Sequence, residues 1–247
     1  MFDEGFAALL RSRHATRDFL PDPLPPEVLD EIFEDARYCP SWSNTRPYVL
    51  AVASGEQLER LRSSYGEAFD ASMALRRRRP KALLKALRGE GIPSGDFKAW
   101  RPYPKELRPR SKKVGKGLYE HMGVDRADRA SRDAAARRNV DFFDAPTVIW
   151  FFVHKGLLPF SAQDAGIMMQ TLILAAKARG VDSCPLGVLS LWRHPVEEEF
   201  EIPKDYALIT GLALGYASDD PVNDFRADHP PLTFLRSQET PEGGAEL

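Results

Sequence analysis

The chain has 247 residues, 43% of them hydrophobic, and a formal net charge of -2. That length suits one large globular domain or two small ones, and a near-neutral whole has no built-in attraction to nucleic acid or membrane. Two cysteines, Cys39 and Cys184, without a Cys-x-x-Cys or His-rich metal pattern, point to a reducing, cytoplasmic home and to no metal site. "MFDEGFAALLRSR" at the N-terminus puts acids before a short apolar run, unlike a secretory signal. The longest apolar stretch, "APTVIWFFV", is about half of a membrane span.

In chain order, "GFAALLRSR" reads as a short helix with Phe6, Leu9 and Leu10 on one face. Arg13, His14 and Arg17 follow within five positions, and their spacing suits either a solvated helix end or a seat for an anion. "PDPLPPEVLDEIFEDARYCP" predicts a second helix: Val28, Leu29, Ile32, Phe33 and Ala36 recur at helical spacing, Pro25 and Pro26 suit its first turn, and Pro40 ends it. "SWSNTRP" is a loop by composition and "YVLAVAS" a strand.

Residues 56–140 read as mostly helical, with breaks at "GEGIPSGD" and "WRPYPKELRPR". Within them, residues 76–116 hold 15 Lys or Arg against Glu90, Asp96 and Glu106, a local balance of +12 that leaves -14 for the rest. "APTVIWFFV" reads as a strand buried on both faces. "SAQDAGIMMQTLILAAKARG" is the strongest helix, with Ser161 as a candidate cap, Lys177 and Arg179 in its last turn and Gly180 closing it. It is apolar almost all round, so its own domain or a second subunit must cover it. "VDSCPLGVLS" reads as strand and loop, "PVEEEFEIP" as a short acidic helix and "YALITGLALGYAS" as another two-sided buried strand. "PVNDFRADHPPLTFLR" is extended, and 239–247 reads as a disordered tail. No Gly-x-Gly-x-x-Gly follows a strand and no Gly-x-x-x-x-Gly-Lys occurs, which disfavours those nucleotide folds.

Four stretches in order resemble the FMN-dependent nitroreductase family over roughly residues 8–235: "RHATRDF" from Arg13, "PSWSNTRPY", "DAGIMMQTLILAAKARGVDSCPLG" and "LGYASDDPVNDFRADHPPL". "KVGKGLYEHMGV" and "RRNVDFFDAP" further resemble the subgroup that includes nitrobenzoate reductases. The resemblance implies an α+β fold, with a central, mainly antiparallel sheet flanked by helices. It also implies an intertwined homodimer that encloses one FMN per subunit, within a single domain over 1–238. By the resemblance Arg13, with His14 and the backbone at Ala15, serves the FMN phosphate. Arg17, one helical turn on, reaches the pyrimidine edge. Ser41, Ser43 and Asn44, with Trp42 among them, approach the cofactor from the partner subunit; Arg46, where the family usually has Gln, either adds a second cation there or points outward. Pro185, Leu186, Gly187 and Val188 form a turn at the cofactor, with the backbone N–H of Gly187 or Val188 directed to flavin N5. The family's C-terminal phosphate-binding Arg is replaced by Arg226 or His229. Arg17 and Gly187 are the residues expected to carry catalysis.

The physical chemistry agrees with that assignment. A cation about 4 Å from the anionic edge of a reduced flavin is worth roughly 4 kcal/mol at an effective dielectric of 20. By the two-electron relation that raises the potential by up to ~90 mV before screening. The expected reaction takes hydride from NADH or NADPH and passes two electrons to an electron-poor aromatic, a nitroarene or quinone, in ping-pong fashion. Alternatives within the family are reductive dehalogenation, ring dehydrogenation and flavin breakdown. The basic segment reads three ways: as a solvated face, as a lid formed by 68–116 over the flavin's exposed face, with Trp100, Tyr103 and the nearby Tyr119 to stack on an aromatic ring or on the flavin, or as a nucleic-acid surface.

Overall fold

The computed structural model describes residues 4–235 apart from 88, 90, 99–101 and 126. The tail expected at 239–247 and Trp100 lie outside the described residues. The elements in chain order are α1 (Glu4–Ser12), α2 (Pro26–Ala36), β1 (Tyr48–Ser54), α3 (Gly55–Arg76), α4 (Pro80–Ala86), α5 (Arg108–His121), α6 (Arg129–Arg137), β2 (Thr147–His154), α7 (Phe160–Ala178), β3 (Asp182–Leu186), α8 (His194–Glu197) and β4 (Tyr206–Gly215). The strands form one antiparallel sheet in the order β1-β2-β4-β3. Helices cover both of its faces, so the fold is α+β, as the family resemblance implies.

The apolar run of β2 explains the layering. Successive side chains of a strand point to opposite faces. Val148, Trp150 and Phe152 therefore pack with Leu58, Leu61 and Tyr65 of α3, while Ile149 and Phe151 pack with Leu172 of α7 and Ile32 of α2. Burying each such side chain contributes about 1.5–3 kcal/mol. A strand roofed on both sides by helices needs this unbroken apolar sequence, and the same logic holds for β4.

α7 starts one residue before Ser161, after Pro159, so Ser161 is not its cap; the Ser161 hydroxyl donates instead to the His154 carbonyl at 2.9 Å. The helix closes at Gly180, whose φ is +74°, a conformation glycine adopts at little cost. α7 packs on α2, α1 and the sheet, while Gln163, Gly166, Gln170 and Ala178 form a stripe open to solvent in the single chain. The helix expected to be covered all round therefore has one uncovered face.

Residues 13–20 are extended, not helical. α1 stops at Ser12, and the chain then runs along the open edge of β3, where unpaired backbone groups are available. Ala15 bridges Ser183 in parallel, and Thr16 N–H donates to the Ser183 carbonyl at 3.0 Å. Further on, Phe19 N–H donates to the Phe143 carbonyl at 3.2 Å and Leu20 N–H to the Tyr216 carbonyl at 2.9 Å. Arg17 thus lies in an extended segment beside the sheet, and the helical-turn spacing expected between Arg13 and Arg17 does not occur.

Candidate active site

Extension along β3 separates the two arginines. At about 3.3 Å per residue, an extended chain carries their Cα atoms up to about 13 Å apart. At the near end, the His14 ring meets the Ser12 carbonyl at 3.1 Å and lies within the electrostatic reach of Asp182, Lys177 and Arg226. Burial holds the His14 imidazole below its ordinary pKa, and the Arg226 and Lys177 charges push the same way, against the Ser12 carbonyl and Asp182. Lys177 pairs with Asp182 at 2.6 Å. Arg226 donates to the carbonyls of Asn223 and Phe225 at 2.6 and 3.1 Å. His229 is exposed and follows Asp228, which pairs with Lys113 of α5 at 2.6 Å. Of the two C-terminal candidates, Arg226 is the one whose charge reaches His14.

At the far end, the Arg17 guanidinium donates to the Ala15 carbonyl at 3.2 Å, and its Cζ lies 5.9 Å from the centre of the Phe225 ring. Its charge is felt by Cys184, whose thiol is nevertheless pushed up to about 11 by burial. Cys184 is therefore a neutral thiol at physiological pH. Beyond Leu186 the chain turns through a 3-10 segment, Gly187–Leu191. Leu186 is buried and Val188 half-buried, whereas Pro185 and Gly187 are exposed. A Cβ built on Gly187 would meet nothing within 4 Å, so this backbone borders open space.

That turn is held rigidly from behind. Ser190 Oγ donates to the Gly187 carbonyl at 2.7 Å, and the fully buried Tyr65 hydroxyl donates to the Leu189 carbonyl at 3.1 Å while accepting from Trp150 Nε1 at 3.0 Å. Part of the basic segment docks here too. Gly95 N–H donates to the Leu191 carbonyl at 2.9 Å. Asp96 accepts from Leu208 N–H and from the Arg193 guanidinium, both at 2.7 Å.

The loop predicted at 41–47 contains a 3-10 turn, Trp42–Asn44. Ser43, Asn44 and Arg46 have φ of +49°, +54° and +47°, each costing about 1–2 kcal/mol for a residue with a Cβ. Local bonds hold the turn: Arg46 N–H donates to Ser41 Oγ at 3.0 Å and Asn44 N–H to the Ser41 carbonyl at 3.0 Å. The Arg46 guanidinium donates to the Arg37 carbonyl just past α2, at 2.8 Å. Trp42 stacks on Phe160 with ring centres 4.1 Å apart.

This turn leads into β1, and β1 and β3 are the two opposite edges of the sheet. With neighbouring strands about 4.8 Å apart, three spacings put some 14 Å between those edges. A single chain therefore keeps Ser41–Arg46 apart from Arg13–Arg17. Tyr103 is exposed and its carbonyl accepts from Arg108 at 3.2 Å; Tyr119 is half-buried on α5. Among the described residues no group of three or more His, Cys, Asp or Glu is arranged to hold a metal, and no helix is long and apolar enough to cross a membrane.

The Nitroreductase family model matches residues 10–216. The chain belongs to the nitroreductase family. It is 31% identical over 231 residues to 4-nitrobenzoate reductase of Pseudomonas putida, with 92% of each protein covered. It is 32% identical over 216 residues to chloronitrobenzene nitroreductase of Comamonas testosteroni, covering 85% of this chain and 86% of that one. Among solved structures, the FMN-dependent nitroreductase NfnB from Mycobacterium smegmatis, in complex with NADPH, superposes with a TM-score of 0.76 at 30% identity, over 95% of this chain and 100% of that one.

Three residues of this nitroreductase-family chain stand out only in the structure. Asn223 receives the Arg17 backbone N–H at 2.8 Å, Asp164 receives that of Trp42 at 2.9 Å, and Asp96 ties the basic segment to β4. In the sequence Asp164 reads as helix-end electrostatics and Asp96 as one of three acids in a basic run. Asn223 lies 206 positions from its partner. No local pattern marks such a pairing.

Proposed function

We propose that this chain is an FMN-dependent NAD(P)H oxidoreductase that reduces electron-poor aromatic compounds, nitroarenes foremost, as a homodimer. The observation that carries this reading is the division of the site. Cations and an open backbone turn line the β3 edge, while the strained Ser41–Arg46 turn sits at the opposite edge, where it suits a second chain's cofactor. A groove between α1 and α7, about 690 Å³ and lined by Phe6, Leu9, Gly166, Ile167, Leu174 and Ala178 among others, is the face on which two copies would pair.

The residues present fit FMN. Arg13, His14 and Arg226 would receive the phosphate, with Ala15 beside them. Arg17, up to about 13 Å along the extended segment by the ~3.3 Å rise, would face the negative edge of the ring. Gly187, with no side chain and free space before it, would let the ring approach the backbone N–H groups of Gly187 and Val188, flanked by Pro185 and Leu186. Ser41, Trp42, Ser43 and Asn44 of the second subunit would complete the seat, with Arg46 shaping their turn. When bound, FMN supplies two-electron redox chemistry at its N5 position.

The chain's own part is binding, orientation and charge stabilisation. Arg17 would hold a positive charge beside the negative edge of the ring, and the turn at Gly187 would offer the ring rigid backbone donors. In the overall reaction a nitroarene, NADPH and a proton give a nitrosoarene, NADP⁺ and water. The relatives' names favour nitro reduction over dehalogenation, ring dehydrogenation or flavin breakdown, and NADPH in the NfnB complex favours that donor over NADH. Within 68–116, residues 68–76 end the core helix α3, and the part that follows would serve this reading as a lid, with Tyr103, and Tyr119 just beyond it on α5, toward the aromatic substrate. Family membership displaces the nucleic-acid reading. Two free, buried cysteines suit a cytoplasmic enzyme.

The test is reconstitution. Purified protein mixed with FMN is expected to turn yellow, to run as a dimer, and to oxidise NADPH when 4-nitrobenzoate is added, with parallel double-reciprocal lines. Protein that takes up no FMN sinks the proposal.

A further inference from the structure

The segment that follows β4 returns to the β3 edge and grips the backbone on both sides of Arg17. Asn223 is buried, 7% exposed, and every polar position of its carboxamide faces a partner. Its Oδ1 accepts from Arg17 N–H at 2.8 Å, and its Nδ2 donates to the carbonyls of Asp18 and Ser218 at 2.8 and 3.1 Å. Two residues on, the Phe225 ring lies against the Arg17 guanidinium, a geometry in which the ring face attracts the cation. The Asn223 carbonyl also accepts from Arg226 at 2.6 Å. One residue thus holds the Arg17 backbone with its side chain and the Arg226 guanidinium with its own carbonyl.

The gripping segment is itself braced. His121 Nε2 of α5 lies 2.6 Å from the Pro221 carbonyl, and its ring centre is 5.7 Å from that of Phe225. A side chain at Gly117 would already touch Phe225, at 3.5 Å. Asp18 is held from the other side by Arg138 at 2.5 Å and by the Ser218 hydroxyl. The backbone at Arg17 therefore cannot move without breaking this set.

We infer that Asn223, together with Phe225, is a positioning residue that fixes the Arg17 charge and so sets the potential of the bound flavin. The inference rests on the proposed function. The influence of a charge falls as the inverse of its distance, and an arginine side chain free to swing would spend its time hydrated away from the ring. Neither Asn223 nor Phe225 needs to touch the cofactor for this. Arg226 is met only by their backbone carbonyls, which the substitutions keep, so the effect of the two side chains passes through Arg17, and this separates them from residues that merely keep the chain folded.

The experiment compares wild type, Arg17→Ala, Asn223→Ala, Phe225→Leu and the Arg17→Ala/Asn223→Ala double variant, all loaded with FMN. The readouts are the two-electron potential by dye equilibration, the FMN dissociation constant and the melting temperature. Arg17→Ala is expected to lower the potential. Asn223→Ala is expected to lower it too, by at least a tenfold change in the reduction equilibrium, about 30 mV for two electrons, and to add nothing in the Arg17→Ala background. The rate of reduction by NADPH should fall with the potential while its KM stays within twofold. Should Asn223→Ala not fold, Phe225→Leu carries the same expectation, because it keeps the apolar bulk and removes the ring face. An unchanged potential in Asn223→Ala or Phe225→Leu, beside a lowered one in Arg17→Ala, overturns the inference and leaves the proposed function standing. So does an undiminished further drop in the double variant. A potential that Arg17→Ala itself leaves unmoved removes the role of Arg17, and this inference with it.

Discussion

The carboxylate of Asp164, 1% exposed in α7, accepts the backbone N–H of Trp42 at 2.9 Å and so ties the 41–46 turn to the helix. Three residues of that turn have φ near +50°, a cost that local bonds alone must otherwise offset. A hydrogen bond to a charged group contributes about 1.5–3 kcal/mol. Asp164→Ala should lower unfolding stability by that amount in a urea titration. Asp164→Asn, which keeps an acceptor, should lose less. Equal stability in wild type and Asp164→Ala would show that the turn stands without this bond.

Gly95 lies against the turn that follows β3. Its N–H donates to the Leu191 carbonyl, and a Cβ there would sit 2.0 Å from the Ser190 carbonyl oxygen. That neighbour is backbone and cannot swing aside, so Gly95→Ala must push the two segments apart. Overpacking of this kind typically costs about 1–3 kcal/mol. The expected result is a lower melting temperature together with weaker FMN binding, because the Gly187 turn is displaced. A stable variant with full FMN affinity would mean that the segment is not seated on the turn.

Much of the fold was legible because it is written locally. β1 falls at Tyr48–Ser54, where the run "YVLAVAS" after Pro47 places it, and the apolar runs of β2 and β4 announce strands covered on both faces. The site was legible in residue type more than in geometry. Arg13, His14 and Arg17 stand out by charge, yet their four-residue spacing reads as helical, whereas the segment is drawn straight by pairing with Ser183, Phe143 and Tyr216. Those partners come from three distant parts of the chain. Asn223 and Asp164 were illegible for the same reason: a side chain that serves another segment's backbone leaves no periodic trace.

His14 gives the site a pH signature. Burial and the nearby cations hold its pKa in the folded protein below the ordinary 6.5, so the folded state favours the neutral ring. The associated stability is complete above pH 6.5 and is lost as pH falls through the lower folded-state value. Cofactor-free wild type should lose melting temperature across that window more steeply than His14→Asn. Binding of an FMN phosphate reverses the preference, since a protonated imidazole pairs with a dianion. FMN affinity should therefore rise as pH falls toward and below 6.5 in wild type, and more weakly in His14→Asn. Parallel profiles for the two proteins, with and without FMN, would place the phosphate elsewhere.

Gly187 separates a folding role from a binding role. Its φ lies outside the left-handed region and a Cβ built on it meets nothing within 4 Å, so alanine fits the free protein without strain. Exposed substitutions of this kind usually stay within about 0.5 kcal/mol, and the melting temperature of cofactor-free Gly187→Ala should match wild type. The added methyl would nonetheless occupy space that the flavin ring needs if it packs on the Gly187–Val188 backbone. FMN affinity is expected to fall at least tenfold in Gly187→Ala, equivalent to about 1.4 kcal/mol, and further in Gly187→Val. Titrating FMN into the three cofactor-free proteins measures this directly. Were all three to bind FMN alike, the ring would have to lie against some other part of the β3 edge.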